Sequence, residues 1–202
     1  MRQLLTLLAL MISMTTPASA DRILLVLGDS LSAAYGIAQE DGWVSLMSQR
    51  IKEDGGAWQV ANASISGETT AGGLTRLPEL LKPLQPALVL IALGSNDALQ
   101  GKPPSLLRAN LEKMASQARD SGADVVIIGN QVPPNYGPQY TQRMFDTYRE
   151  VSESLDTHYI PFLLEAVATD ENLFQADRLH PTAEAQPLIL DTVWPTLAPL
   201  LE

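Results

Sequence analysis

The chain has 202 residues, 13 Lys plus Arg against 23 Asp plus Glu, and no cysteine. A net charge of −10 is the wrong sign for a surface that grips nucleic acid or an anionic membrane. Without cysteine there are no disulfides, thiolate nucleophiles, zinc–thiolate sites or lipid-anchored cysteine, and two histidines, His158 and His180, are too few for a histidine-rich metal site.

Met1 and Arg2 make a short positive start, residues 4–12 are apolar apart from Thr6, and Ala18-Ser19-Ala20 offers small residues in an Ala-x-Ala pattern. This is the layout of a secretory signal peptide. The apolar run is about half the roughly 20 residues that span a bilayer. The expectation is a signal peptide over 1–20, one domain over 21–202, export to the periplasm or beyond, and no stable membrane anchor.

Strand and helix patterns then alternate. Arg22 to Leu27 leads into Gly28-Asp29, Trp58 to Asn62 follows Gly55-Gly56, Ala87 to Leu93 leads into Gly94, Asp124 to Gly129 leads into Asn130, and His158 to Pro161 is a weak fifth strand. Apolar runs without alternation suit strands buried on both faces of a parallel sheet. Helices are predicted over 40–53, 69–82, 103–121, 138–155 and 182–200. In the third, Leu106, Leu107, Asn110, Leu111 and Met114 form a near-helical stripe. Pro187, Pro195 and Pro199 should make the last one irregular. This alternation predicts a three-layer α/β/α domain.

Open parallel sheets bind ligands at the carboxyl ends of their strands, and the polar residues gather there. Ser30 follows the first strand at once. Gly28 frees the turn, and Ser30 is placed either to cap a helix or to act as a nucleophile. The sequence misses the G-x-S-x-G elbow, since Ser32 holds the last glycine position. A serine nucleophile needs a base, and the base needs an orienting acceptor. Asp177 and His180, three residues apart before the last helix, offer both, or else form an ordinary surface pair. His158 lacks a matching carboxylate and reads as structural. Gly67 and Asn96, on turns after two other strands, are either turn formers or, with the Ser30 N–H, donors to a developing oxyanion.

Gly28-Asp29-Ser30-Leu31-Ser32, Gly67 within residues 62–69, Gly94-Ser95-Asn96-Asp97 and Asp177-Arg178-Leu179-His180 resemble, in order, four sequence blocks of the GDSL, or SGNH, hydrolases. The resemblance extends over nearly all of 21–202. It implies a flavodoxin-like sandwich with a five-stranded parallel sheet in order 2-1-3-4-5. It implies Ser30 as nucleophile, His180 as base and then acid, Asp177 as its orienting carboxylate, and Ser30, Gly67 and Asn96 as the oxyanion hole. It implies no cofactor and no metal. The substrates would be small acyl esters, thioesters or lysophospholipids, with arylesterase, thioesterase and lysophospholipase activity, and a monomer is expected.

Three positions depart from the family pattern: Glu68 where Asp is usual, Ser95 where Gly or Ala is usual, and Arg178 where Gly is frequent. They bear on substrate preference rather than on reaction type. The stiff loop of Pro133, Pro134, Asn135 and Tyr136 is expected to border an acyl-chain channel. An exported enzyme meets little acyl-CoA, so lysophospholipids and free esters are the expected natural substrates. Two other readings stay open. One is a carbohydrate acetylesterase or narrow short-chain arylesterase of the same family. The other is a metal-dependent phosphoesterase or flavodoxin-like binding module using Asp29, Asp97, Asp177 and His180.

Overall fold

The computed structural model describes residues 22–132 and 134–202. The expected signal peptide and Pro133 lie outside them. Five strands, β1 (Arg22–Gly28), β2 (Trp58–Asn62), β3 (Leu88–Ala92), β4 (Asp124–Ile128) and β5 (His158–Ile160), form a parallel sheet in the order β2-β1-β3-β4-β5. Strand β1 is in register with both neighbours, Leu24 opposite Val60 on β2 and Leu88 on β3. The sheet is the expected one.

Successive side chains on a strand point to opposite faces, and here both faces are covered. Leu24, Val26, Leu88, Leu90 and Val126 pack on one side with α1 (Trp43–Glu53) and α6 (Gln186–Leu197). Leu25, Leu27, Val89, Ile91 and Val125 pack on the other with α2 (Thr70–Leu84), α4 (Pro104–Asp120) and α5 (Pro138–Leu155). Leu24, Leu25, Val26 and Leu27 are fully buried. Each buried aliphatic side chain contributes about 1.5–3 kcal/mol, which explains why these strands lack polar alternation. The stripe predicted on α4 is its buried face, from Leu107 through Asn110 and Leu111 to Met114; Leu106 is half-buried at its edge.

Three local expectations need correction. The last helix begins at Gln186, not 182, because Thr182 N donates to Leu173 O at 2.8 Å and Pro181 pairs with Phe174, which holds the approach as a turn. A short helix, α3 (Ser95–Leu99), follows β3 after two residues, where the sequence predicts only a turn. Ser30 heads no helix. The turn after β1 is capped by Asp29 instead, whose Oδ1 accepts Leu31 N at 3.0 Å and whose carbonyl accepts Ser32 N and Ala33 N. The carboxylate takes the capping role, and the Ser30 hydroxyl is left for another partner.

Candidate active site

All four polar turns singled out in the sequence sit at the carboxyl edge of the sheet, around a cavity of about 590 Å³. Ser30, Gly67, Asn96 and His180 all line it. Ser30 projects from the turn beyond β1. Gly67 lies between β2 and α2 with φ +79°, a backbone that glycine adopts without steric cost. Asn96 stands in the first turn of α3, which Gly94 starts at φ +123°.

His180 and Asp177 share one turn in the long segment between β5 and α6. Asp177 Oδ1 accepts Leu179 N at 2.9 Å and His180 N at 3.0 Å, so the carboxylate shapes the turn that carries the imidazole. Its Oδ2 lies 2.7 Å from His180 Nδ1. On the far side of the ring, Nε2 lies 2.8 Å from Ser30 Oγ. A carboxylate facing Nδ1 favours the tautomer with the proton there, so that Nε2 is the acceptor for the serine hydroxyl. The His180 side-chain bond, followed by the backbone N–H groups of His180 and Leu179, lowers the Asp177 pKa to about 2. Asp177 therefore stays an acceptor at neutral pH. The Tyr35 ring lies against the imidazole, centroids 4.4 Å apart.

Asn96 is held by its own amide. One N–H donates to Glu68 O at 3.0 Å, and a longer 3.4 Å contact reaches Asp29 Oδ2. The residues behind this group are cross-braced. Asp97 accepts Thr70 N at 2.7 Å and Thr70 Oγ1 at 2.6 Å, tying α3 to the start of α2, and Asn110 Nδ2 donates to the same hydroxyl at 2.9 Å. Glu68, one of the departures from the family pattern, pairs with Arg76 Nε at 2.6 Å. A Cβ on Gly72 would collide with the Glu68 carboxylate. Ser95, another departure, accepts Asn130 Nδ2 at 2.5 Å. Glu68 thus braces the start of α2 behind the site, while Ser95 and Asn130 hold each other within the cavity wall.

Asp29 is only 1% exposed, and burial raises its pKa to about 6 against the lowering effects of Leu31 N–H, Ser95 and His180. The acidic trio considered for a metal does not converge. Asp97 is taken up by Thr70 and Asp177 by its own turn, and among the described residues no group of three or more His, Asp or Glu is arranged to hold a metal ion.

The proline loop is described only in part, Pro133 lying outside the described residues. Gln131 and Val132 line the cavity, whereas Asn135 and Tyr136, in the 3-10 turn Pro134–Tyr136, are not among the described residues that line it. Tyr136 Oη donates instead to Leu99 O at 3.1 Å, and Leu99 lines the cavity. Most of the apolar wall comes from the segment after β5, through Phe162, Leu164, Ala168, Phe174 and Leu179. Nothing in the sequence marks Phe162, Leu164, Ala168 and Phe174 as wall residues, or Tyr35 and Gln175 as their neighbours, beyond the run Phe162-Leu163-Leu164 directly after the weak fifth strand.

The fold and the site together define a class: a parallel α/β/α sandwich with a Ser–His–Asp hydrogen-bonded row on the carboxyl edge of its sheet. Within that class the chain belongs to the GDSL-like lipase/acylhydrolase family, whose model matches residues 26–187. It is 48% identical over 201 residues to the esterase TesA of Pseudomonas aeruginosa, with 100% of each chain covered. It is 35% identical over 195 residues to "Thioesterase 1/protease 1/lysophospholipase L1" of Escherichia coli strain K12, covering 95% of this chain and 90% of the relative. A crystal structure of TesA superposes with a TM-score of 0.87 at 49% identity, covering 89% of this chain and 100% of that one.

Proposed function

We propose that this chain is an exported serine hydrolase that cleaves acyl esters and thioesters, lysophospholipids among them, through an acyl-enzyme. The observation that carries the reading is the unbroken row from Ser30 Oγ through His180 to Asp177. Ser30 Oγ attacks the acyl carbonyl carbon while His180 Nε2 takes its proton. The tetrahedral oxyanion is met by the N–H groups of Ser30 and Gly67 and by the Asn96 N–H that otherwise makes only the long 3.4 Å contact to Asp29, donors of a kind worth roughly 3–4 kcal/mol each. Collapse breaks the bond to the alcohol or thiol, and the leaving group takes the proton from Nε2. Water then attacks the acyl-Ser30 carbonyl, with the same nitrogen as base, and releases the carboxylic acid. Asp177 stabilises the imidazolium formed in each half. Nothing in this sequence of steps calls on a metal or cofactor.

The named activities of the relatives, esterase and thioesterase/lysophospholipase, support the substrate class. So does the apolar wall of Phe162, Leu164 and Phe174, which gives an acyl chain a surface that an acetyl group does not need. The signal-peptide layout of residues 1–20 supports export.

The test pairs the parent chain with Ser30→Ala on 4-nitrophenyl esters of short to long acyl chains, with and without chelator. Ser30→Ala should lose roughly 10⁴–10⁶-fold in turnover while its circular dichroism stays native. A loss of only a few fold, or loss of parental activity to chelator, overturns the reading. A sharp acetate optimum would replace it with the acetylesterase alternative.

A further inference from the structure

Arg178 stands in the left-handed region, at φ +57°. The turn imposes this backbone on it: Arg178 N donates to Gln175 O at 2.8 Å, and Asp177 Oδ1 gathers the next two N–H groups. Glycine would sit there freely, whereas an L side chain costs roughly 1 kcal/mol. The turn gains nothing from the guanidinium, which makes no hydrogen bond or ion pair among the described residues. Such a strained, unpartnered residue at a cavity invites a functional reading.

Its surroundings say what that function is. Among the described residues lining the cavity, Arg178 alone carries a fixed positive charge, and it does so on a chain of net charge −10. It lies two residues from His180, on the same turn. In the reaction above, the leaving alcohol or thiol must come within hydrogen-bond reach of His180 Nε2 to be protonated. Arg178 and His180 line that cavity from one turn, so the cation shares the wall from which the leaving group is protonated. A planar guanidinium binds phosphoryl and carboxylate oxygens in paired, charge-assisted hydrogen bonds.

We propose that Arg178 forms a subsite for an anionic group, phosphoryl above all, on the leaving-group side of the substrate. The inference rests on the serine-hydrolase reading and names which esters that site prefers. The subsite offsets, at short range, the repulsion that the acidic chain exerts on anionic substrates. Salt screens that repulsion beyond roughly 8–10 Å but acts less on a contact pair inside the cavity.

The experiment compares kcat/KM on 1-lauroylglycerol 3-phosphate with that on 1-lauroylglycerol, below the aggregation threshold of both, and adds lauroyl-CoA as a second phosphoryl-bearing leaving group. The parent chain, Arg178→Gly and Arg178→Lys are assayed alongside melting temperatures. Glycine should lower the phosphate-to-neutral ratio about tenfold, with no fall in melting temperature because the strained position is relieved. Lysine, which keeps the charge but not the paired hydrogen bonds, should give a ratio between those of the parent and the glycine variant. Raising NaCl from roughly 50 to roughly 500 mM should reduce the parental ratio more than that of the glycine variant. A fall for the lipid phosphate without one for the CoA thioester assigns the subsite to a phosphate close to the ester; a fall for both assigns it to phosphoryl groups generally. A ratio that Arg178→Gly leaves within twofold overturns the inference. Absence of parental activity on every ester overturns the serine-hydrolase reading instead.

Discussion

Gln175 Nε2 donates to Tyr35 O at 2.8 Å, joining two loops that are 140 positions apart in the chain. The same amide donates to Pro181 O at 3.0 Å, and Gln175 N donates to His180 O at 2.8 Å. Tyr35 is five residues beyond Ser30, and its ring lies against His180. Gln175 therefore fastens the histidine turn to the serine turn. A Cβ on Gly36 would strike its side chain, so the clasp also requires glycine at 36.

Gln175 is a positioning residue on this view, since it touches neither reacting atom. Gln175→Ala should lower kcat about tenfold or more with KM changed less than about twofold, because a small misplacement of His180 weakens proton transfer. Two lost hydrogen bonds should also cost roughly 1–3 kcal/mol of stability. Steady-state kinetics and urea unfolding on one preparation measure both. Lower stability with unchanged kcat would reduce Gln175 to a purely structural role.

Asp177→Asn should be nearly as severe as loss of the serine, roughly 10⁴-fold in kcat. An amide N–H facing Nδ1 favours the tautomer with the proton on Nε2, where it cannot accept from Ser30. The Asp177 pKa of about 2 lies below the usual 3.8, so its stabilising contribution is complete above pH 3.8 and is lost as pH falls toward 2. Retention of more than a tenth of parental kcat would show that His180 is oriented by something else.

Asp29 has the opposite sign. Its pKa is raised from 3.8 to about 6, so between these values the folded chain holds a proton that the unfolded chain has released. Stability from this group therefore rises as pH falls through 6 and levels off below 3.8. Asp29→Asn, which removes the buried charge, should be more stable than the parent by about 1–3 kcal/mol at pH 8, the advantage vanishing by pH 4. Urea midpoints at the two pH values decide it. A variant no more stable at pH 8 than at pH 4, relative to the parent, would refute the assignment.

Asp97→Ala strands the buried Thr70 N–H and hydroxyl at the start of α2. Unsatisfied buried donors cost about 1–3 kcal/mol each, so a loss of roughly 3 kcal/mol is expected by chemical denaturation. Asp97→Asn, which can still accept one of the two bonds, should recover part of it. Equal stability of the alanine variant and the parent would exclude the bracing role.

The sequence by itself determined the sheet, its burial on both faces and the turns on which Ser30, Gly67, Asn96, Asp177 and His180 stand. These features are local. Apolar runs without alternation mark doubly covered strands, and each motif residue follows directly from a strand end or shares a turn with its partner. Helix starts were less legible, since Thr182 N is captured by Leu173 O before a helix can form and α3 hides behind Gly94. Only the tertiary structure decided what surrounds the motif residues. The clasp from Gln175 to Tyr35 and the apolar wall after β5 depend on which loops the sheet order brings to one edge. A glutamine, a tyrosine and a phenylalanine carry no pattern that announces such partners. The Asp29 carboxylate likewise reads in the sequence as an ordinary turn acid, and it is the packing above the sheet that buries it and raises its pKa.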